Sequence, residues 1–347
     1  MPTMTLPATI KTEEALDSAM TEPGDALIED IVSLQSPLVV LGGSGKMGPS
    51  LALLAKRAAL QASHDLHVVV VSRFSDPAAR EWLGNFDIET IACDLLDREA
   101  TMALPDSRNV VFMAGRKFGT VDNPALTWAM NTVAPTHAAE RYARSRVVAL
   151  STGCVYPLVP VSGGGSREED ELVPRGEYAN ACVARERIFE YYSRRDAIPM
   201  VQIRLNYALD LRYGVFVDIA TRVLQEAPID LTMGYVNCIW QRDANEVILR
   251  SFVVASVPPT PLNVTSRQAL RVRDVALRFG ELLGREPRFQ GVESDYALLS
   301  DPSRAYELFG PPATGVDLVM QWTAEWLTHE GRTLAKPTHY EGSDGRY

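Results

Sequence analysis

Short apolar runs recur between residues 37 and 209, spaced widely enough to hold helices between them. They are "PLVVLGG" at 37–43, "HVVVVSRF" at 67–74, "DIETIACDL" at 87–95, "NVVFMAG" at 109–115, "RVVALSTGCVYP" at 146–157 and "IPMVQIRLNYAL" at 198–209. Runs of consecutive valines without polar alternation predict strands buried on both faces. Between them, "SLALLAKRAAL", "WAMNTVAPTHAAERYARS" and the stretch from about Tyr178 to Arg195 carry helical spacing. Strand–helix alternation of this kind predicts βαβ units and a parallel sheet covered on both faces.

The flanks read differently. "EEALDSAM" and "DALIEDIVSL" predict two short helices split at Pro23-Gly24, an arm over residues 1–36. A first domain is expected over 37–210, a mainly substrate-binding subdomain over 211–335 and a tail over 336–347. In the second half, "GVFVDIATRVLQEAP" and "RVRDVALRFGELLG" predict helices, "PLNVTS" a short strand, and "DLVMQWTAEWLTHE" a closing helix. The loop at 157–177 is Gly-, Pro- and charge-rich and too long for an ordinary connector, so it is expected to bind ligand or act as a lid. The fold class is therefore α/β, a doubly wound parallel Rossmann sheet followed by a smaller C-terminal α/β domain.

Composition narrows the function. The net charge of −10 argues against nucleic acid and anionic lipid as partners. Cys93, Cys154, Cys182 and Cys238 are scattered, which suits reduced thiols in a cytoplasmic protein. The five histidines form no ligand-like cluster, so no metal is expected. No apolar run reaches membrane-spanning length.

The chemistry begins at "GGSGKMG", residues 42–48, between the first strand and the first long helix. Gly42, Gly45 and Gly48 make a turn tight enough for backbone to approach a pyrophosphate, with the helix N-terminus facing its charge and Lys46 adding a cation. The lysine is not followed by Ser or Thr, so this is no Walker loop. The second strand ends in Ser72 and Arg73, where an acid would grip the ribose of NAD. An arginine suits a 2′-phosphate instead, which points to NADP over NAD; a solvated loop residue is the alternative for Arg73.

With these motifs in hand, the chain resembles the extended short-chain dehydrogenase/reductase superfamily, in its NAD-dependent epimerase/dehydratase branch. "GGSGKMG" resembles the cofactor turn, with Ser44 and Met47 beside the glycines; "CDLLD" resembles the adenine-contacting segment, with Asp94 and Leu95 in place. "MAGRK" resembles the segment under the cofactor and implies contacts from Met113, Ala114, Gly115 and Lys117. "NTVAPT" implies Asn131 as a support of the active site, and "STGCVYP" implies Thr152 as the hydroxyl partner of the catalytic tyrosine, with Cys154 near substrate. Asn206 matches a position that meets substrate, and Trp240 is a candidate for ring stacking. Arg212 and Arg242 are candidates for an anionic group. The resemblance implies a small-molecule substrate, a sugar derivative or nucleotide-sugar, and pairing of two chains through the helix after Tyr178.

In this family a Tyr-x-x-x-Lys pair does the work. Tyr178 is present, but Cys182 stands where the lysine belongs. A phenol with a pKa near 10 is a poor base at pH 7, and a neutral thiol supplies no charge to lower it. Three substitutes are conceivable: Arg185, roughly 10 Å further along the same helix face, Lys117, or the charge of an oxidised nicotinamide. Two readings follow. One is an NAD(P)-dependent enzyme in which Tyr178 and Thr152 act at a substrate hydroxyl. The other is a noncatalytic dinucleotide or metabolite sensor that keeps the fold.

Overall fold

The computed structural model describes residues 6–117, 119 and 122–342; the outermost parts of the expected arm (1–5) and tail (343–347) lie outside them. The apolar runs form β1 (Leu38–Leu41), β2 (Val68–Ser72), β3 (Glu89–Ala92), β4 (Asn109–Phe112), β5 (Arg146–Thr152) and β6 (Met200–Leu205). With β7 (Thr260–Val264) they build one all-parallel sheet in the order β3-β2-β1-β4-β5-β6-β7.

The helices that bear on the site are α1 (Glu13–Thr21), α2 (Asp25–Ile31), α3 (Gly48–Gln61), α4 (Pro124–Arg141), α5 (Gly176–Asp196), α6 (Val215–Leu224), α7 (Gln241–Arg250), α8 (Val272–Leu283) and α9 (Val316–Thr328). Successive side chains of a strand face opposite sides, and here both sides are cores. Val40, Val70 and Val111 pack with α2, α3 and α7, while Val39, Val69 and Val110 pack with α4 and α5. A third core joins α1, α6, α8 and α9 around Phe216, Phe279, Trp240 and Trp322.

β7 corrects the expected domain boundary. Its "PLNV" was expected in the substrate subdomain, yet it closes the edge of the large sheet, paired in parallel with β6. Leu262 and Val264 are buried there, and their apolar faces reward this placement. α7 likewise returns to pack on α3. The second half thus crosses back into the first layer before building its own core.

The arm is fastened by charge. Arg212 bonds Glu13 and Asp17 of α1 at 3.1 and 3.3 Å, besides its own Asp210. Arg242 donates to the Glu22 carbonyl at 2.9 Å and pairs with Asp243 and Glu246. Both arginines, candidates for a ligand anion in the sequence, are therefore occupied in holding the arm.

The long loop is fastened too. Val159–Pro160 pairs antiparallel with Tyr296–Ala297, and Glu168 accepts from the Asn263 N–H at 2.8 Å. Beneath it Arg204 pairs with Glu186 at 2.8 Å and donates to Tyr156 Oη and to the Glu168 carbonyl. Among the described residues no helix is long and apolar enough to cross a membrane.

Candidate active site

In the sheet order, β1 lies between β2 and β4, so the chain departs to opposite sides and leaves a crevice at the strands' C-terminal ends. A cavity of about 290 Å³ opens there. Its walls are Gly42, Gly45, Lys46, Met47 and Gly48 of the turn, then Met113, Gly115 and Lys117 after β4. Ser151, Thr152 and Cys154 after β5, Tyr178 and Arg185 of α5, and Asn206 and Tyr207 after β6 complete it. Sequence positions more than 160 residues apart are thus brought to one place by the parallel topology.

The glycines divide their labour. A Cβ on Gly42, whose φ is +79°, would lie 2.5 Å from the Ala114 backbone, and one on Gly48 would collide with Gly43. These two let the turn close on its neighbours. Gly45 is exposed, and its Cβ would meet only the Gly42 carbonyl at 3.7 Å. That open surface, at the start of α3, suits the approach of a pyrophosphate. Ser44 and Ser72 share a hydrogen bond of 2.5 Å that ties the turn to the end of β2. The donor set thus fits a dinucleotide.

Lys46 behaves differently from the sequence expectation. Its ammonium crosses the cavity to the Ala208 carbonyl at 2.8 Å and lies 4.4 Å from the Tyr213 ring centre. Burial pushes its pKa down to about 8, against the pull of Asp210. Lys117 is lowered for the same reason, and its Nζ reaches the Thr338 carbonyl at 3.5 Å.

Thr152 and Tyr178 face this space together. The Thr152 hydroxyl oxygen accepts from the Cys154 N–H at 3.2 Å, which fixes the oxygen and leaves its proton for another acceptor. Tyr178 is half-buried. Burial holds its phenol well above the ordinary range, the neighbouring Cys182 raises it further, and Arg185 pulls the other way. Asn131 stands behind the wall, donating to the Thr127 carbonyl at 2.8 Å. Cys182 is fully buried, 4.0 Å from Asn131 Oδ1. Its thiol is pushed up to about 11 by burial, so it is neutral at pH 7.

Several expected contacts fall elsewhere. Trp240 is buried against Trp322, with ring centres 5.5 Å apart, and does not line the cavity. An indole offers much apolar surface and the third core claims it. No residue of the 157–177 loop lines the cavity. Ser72, Arg73, Asp94 and Leu95 lie outside it as well, along the open end at β2 and β3, where Asp94 caps the Leu96 N–H at 3.0 Å. Arg73 is exposed.

Other wall residues were not expected. Tyr207, Tyr213 and Thr338 line the cavity, and the tail reaches it because Asp218 of α6 accepts from both the Thr338 N–H and its hydroxyl. "RLNYA" signalled Asn206 and "KPTHY" carried no periodicity, so only the fold could bring them in. Among the described residues no group of three or more metal-ligand side chains occurs.

The sequence model of the NAD dependent epimerase/dehydratase family matches residues 38–208. No curated protein matches the sequence. Among solved structures, a UDP-galactose 4-epimerase is similar at 26% identity, covering 85% of this chain and 99% of that one, with a TM-score of 0.67. The Thermus thermophilus UDP-glucose 4-epimerase, solved as a complex with NAD, is 20% identical over 83% of this chain and 98% of its own, at TM-score 0.68. The Bacillus cereus UDP-glucuronic acid 4-epimerase, solved with UDP-glucuronic acid and NAD, is 16% identical over 84% and 99%, at TM-score 0.70.

Proposed function

Since residues 38–208 belong to the NAD-dependent epimerase/dehydratase family, we propose that the protein is a nicotinamide-dinucleotide-dependent oxidoreductase or epimerase acting on a hydroxyl-bearing sugar derivative. The observation that carries this reading is the meeting of Tyr178 and Thr152 in the same cavity as the glycine turn. Nucleotide-sugars are the preferred substrate class, because the similar solved proteins bear epimerase names for UDP-sugars.

When bound, the dinucleotide supplies hydride exchange at a carbon that bears the reacting oxygen. Gly45 and the first turn of α3 receive its pyrophosphate. Tyr178 holds the proton at the reacting oxygen, donating or accepting it as the carbon is reduced or oxidised. Thr152 donates to the same oxygen and keeps it beside the phenol. Asn131 supports the segment after β4 from behind. Asn206 and Cys154 face the substrate side.

Incubating the protein with NAD or NADP and a panel of UDP-sugars, and reading nicotinamide absorbance and product stereochemistry, tests the assignment. Epimerisation or reduction by the wild-type chain supports it, and nucleotide binding without any turnover favours the sensor reading. That second reading draws on Cys182, which leaves the phenol without a lysine one turn on, and on the neutral state of that phenol in the free protein.

Cofactor choice is assigned to Arg73. Its guanidinium is exposed just after β2 and would hold a 2′-phosphate there, which favours NADP. Arg73→Ala should lower NADPH affinity by about tenfold and leave NADH affinity unchanged, as followed by fluorescence titration. Equal effects on both nucleotides would remove Arg73 from this role.

Lys46 gives the site a pH dependence. A bound phosphate favours the charged ammonium, and that charge is present below its pKa of about 8 and lost above it. Nucleotide affinity should therefore fall as pH rises through about 8. Titrations of Lys46→Met at the same pH values should lack this fall. An identical alkaline decline in the variant assigns it to another group.

A further inference from the structure

α5 carries Tyr178, Cys182 and Arg185 on one face, at spacings of four and three residues. Arg185 is buried at 5% exposure and lines the cavity. Its side chain turns back across Cys182: Nη2 donates to Cys182 Sγ at 3.3 Å, and Nη1 donates to the Ala114 carbonyl at 3.1 Å. The guanidinium thus fills the volume that a longer side chain at position 182 would enter. Two small residues make that crossing fit. One is Cys182 itself. The other is Gly115, where a Cβ would stand 2.7 Å from Arg185 Nη1.

The charge of Arg185 is also unbalanced. Of the three buried arginines among the described residues, Arg204 pairs with Glu186 and Arg242 with Asp243 and Glu246. Among the described residues, no carboxylate lies within ion-pair distance of Arg185. A buried cation without a counter-charge is costly, and such an arrangement persists where a ligand or a developing anion supplies what is missing. Its hydrogen bonds to Ala114 and Cys182 also leave donor capacity, since a guanidinium offers five N–H groups.

We propose that Arg185 is the cation of this active centre, reaching from the next turn of α5 across a small Cys182 to the place where a lysine from position 182 would end. There it holds the hydroxyls of the nicotinamide ribose and favours the anionic form of the Tyr178 phenol. The inference rests on the dinucleotide-dependent reading above and adds to it which residue supplies the charge. Of the other cations lining the cavity, Lys117 bonds the tail at Thr338, Lys46 the Ala208 carbonyl and Arg116 the Gly119 carbonyl. The charged and titratable groups that face the phenol are Arg185, Cys182 and Cys154.

The test compares the wild type with Arg185→Met, Arg185→Lys, Cys182→Lys and the double variant Cys182→Lys/Arg185→Ala. The probes are NADH and NADPH fluorescence titrations and an ultraviolet difference titration of Tyr178, with Tyr178→Phe as the blank. Arg185→Met should weaken nucleotide binding by about tenfold or more and move the Tyr178 titration to higher pH. Arg185→Lys should retain more affinity than Arg185→Met. Cys182→Lys alone should bind worse than wild type, because two cations compete for one volume, and the double variant should recover most of the loss.

If Arg185→Met misfolds, the comparison of Cys182→Lys with the double variant decides. Unchanged affinity and titration in Arg185→Met overturn the inference alone, as does a Cys182→Lys protein that binds better than wild type. A wild-type chain that ignores both NADH and NADPH overturns the parent reading together with it.

Discussion

Tyr178→Phe is expected to lower turnover by about 10²–10⁴-fold while nucleotide affinity stays as in the wild type. The substitution removes one oxygen from a ring that packs against the cluster of Val155, Tyr156 and Cys182. The hydroxyl's own contact is with the Cys182 thiol, a weak hydrogen-bond partner. On the proposed reading, what disappears is the group that holds the reacting proton, in a cavity shared with the glycine turn and the Thr152 hydroxyl. In the free protein the phenol is neutral at pH 7, because burial raises it and Cys182 adds to that, with only Arg185 acting in the opposite direction. Initial rates and nucleotide titrations on the same preparations separate the two quantities. Equal turnover in the variant would take Tyr178 out of the chemistry, and equal loss of binding and turnover would give it a structural part instead.

Glu186→Ala is expected to destabilise the protein by about 3–5 kcal/mol. Glu186 is buried, receives two hydrogen bonds from Arg204 at 2.8 and 3.1 Å, and accepts from the Ser151 hydroxyl at 2.5 Å. Removing it leaves the Arg204 charge buried without its carboxylate. Burial works against that charge, and Glu186 is what outweighs the penalty. The damage should spread along a defined route, since Ser151 precedes Thr152, Glu186 follows Arg185, and Arg204 grips the loop through Glu168. Urea unfolding measures the loss. A double change of Glu186 and Arg204 to leucine and methionine should cost less than Glu186→Ala alone, because no charge remains stranded. A loss below about 1 kcal/mol for the single variant would mean that water reaches the pair.

The parallel sheet was legible because its valine runs admit no reading but strands covered on both sides, and the glycine turn because three glycines sat between such a strand and a helix. Tyr178, Thr152 and Asn206 were singled out by the family resemblance, and in the structure they line one cavity with the turn. What stayed hidden depended on long-range partners. Arg212 and Arg242 looked like free charges, and only the fold brings Glu13, Asp17 and the Glu22 carbonyl to them. Trp240 looked available for stacking, although Trp322 lies more than 80 residues away and meets it in a core. β7 was assigned to the wrong layer because a strand of five residues carries no mark of its neighbours. The loop at 157–177 looked like a binding loop or lid because it is long and rich in Gly, Pro and charge, yet the Glu168 carboxylate takes the Asn263 N–H and its carbonyl takes Arg204. Arg185 was the nearest to legible: helix spacing put it on the correct face, but its turn back over Cys182 depends on Gly115 and Ala114, which lie in the segment after β4.

A crystal structure of the wild-type protein grown with NADP or NAD tests the central assignment most directly. The expected density has the pyrophosphate over Gly45 at the start of α3 and the nicotinamide ring beside the Tyr178 hydroxyl, with the Arg185 guanidinium at the ribose. A nucleotide seated elsewhere, or a nicotinamide turned away from Tyr178, would contradict it.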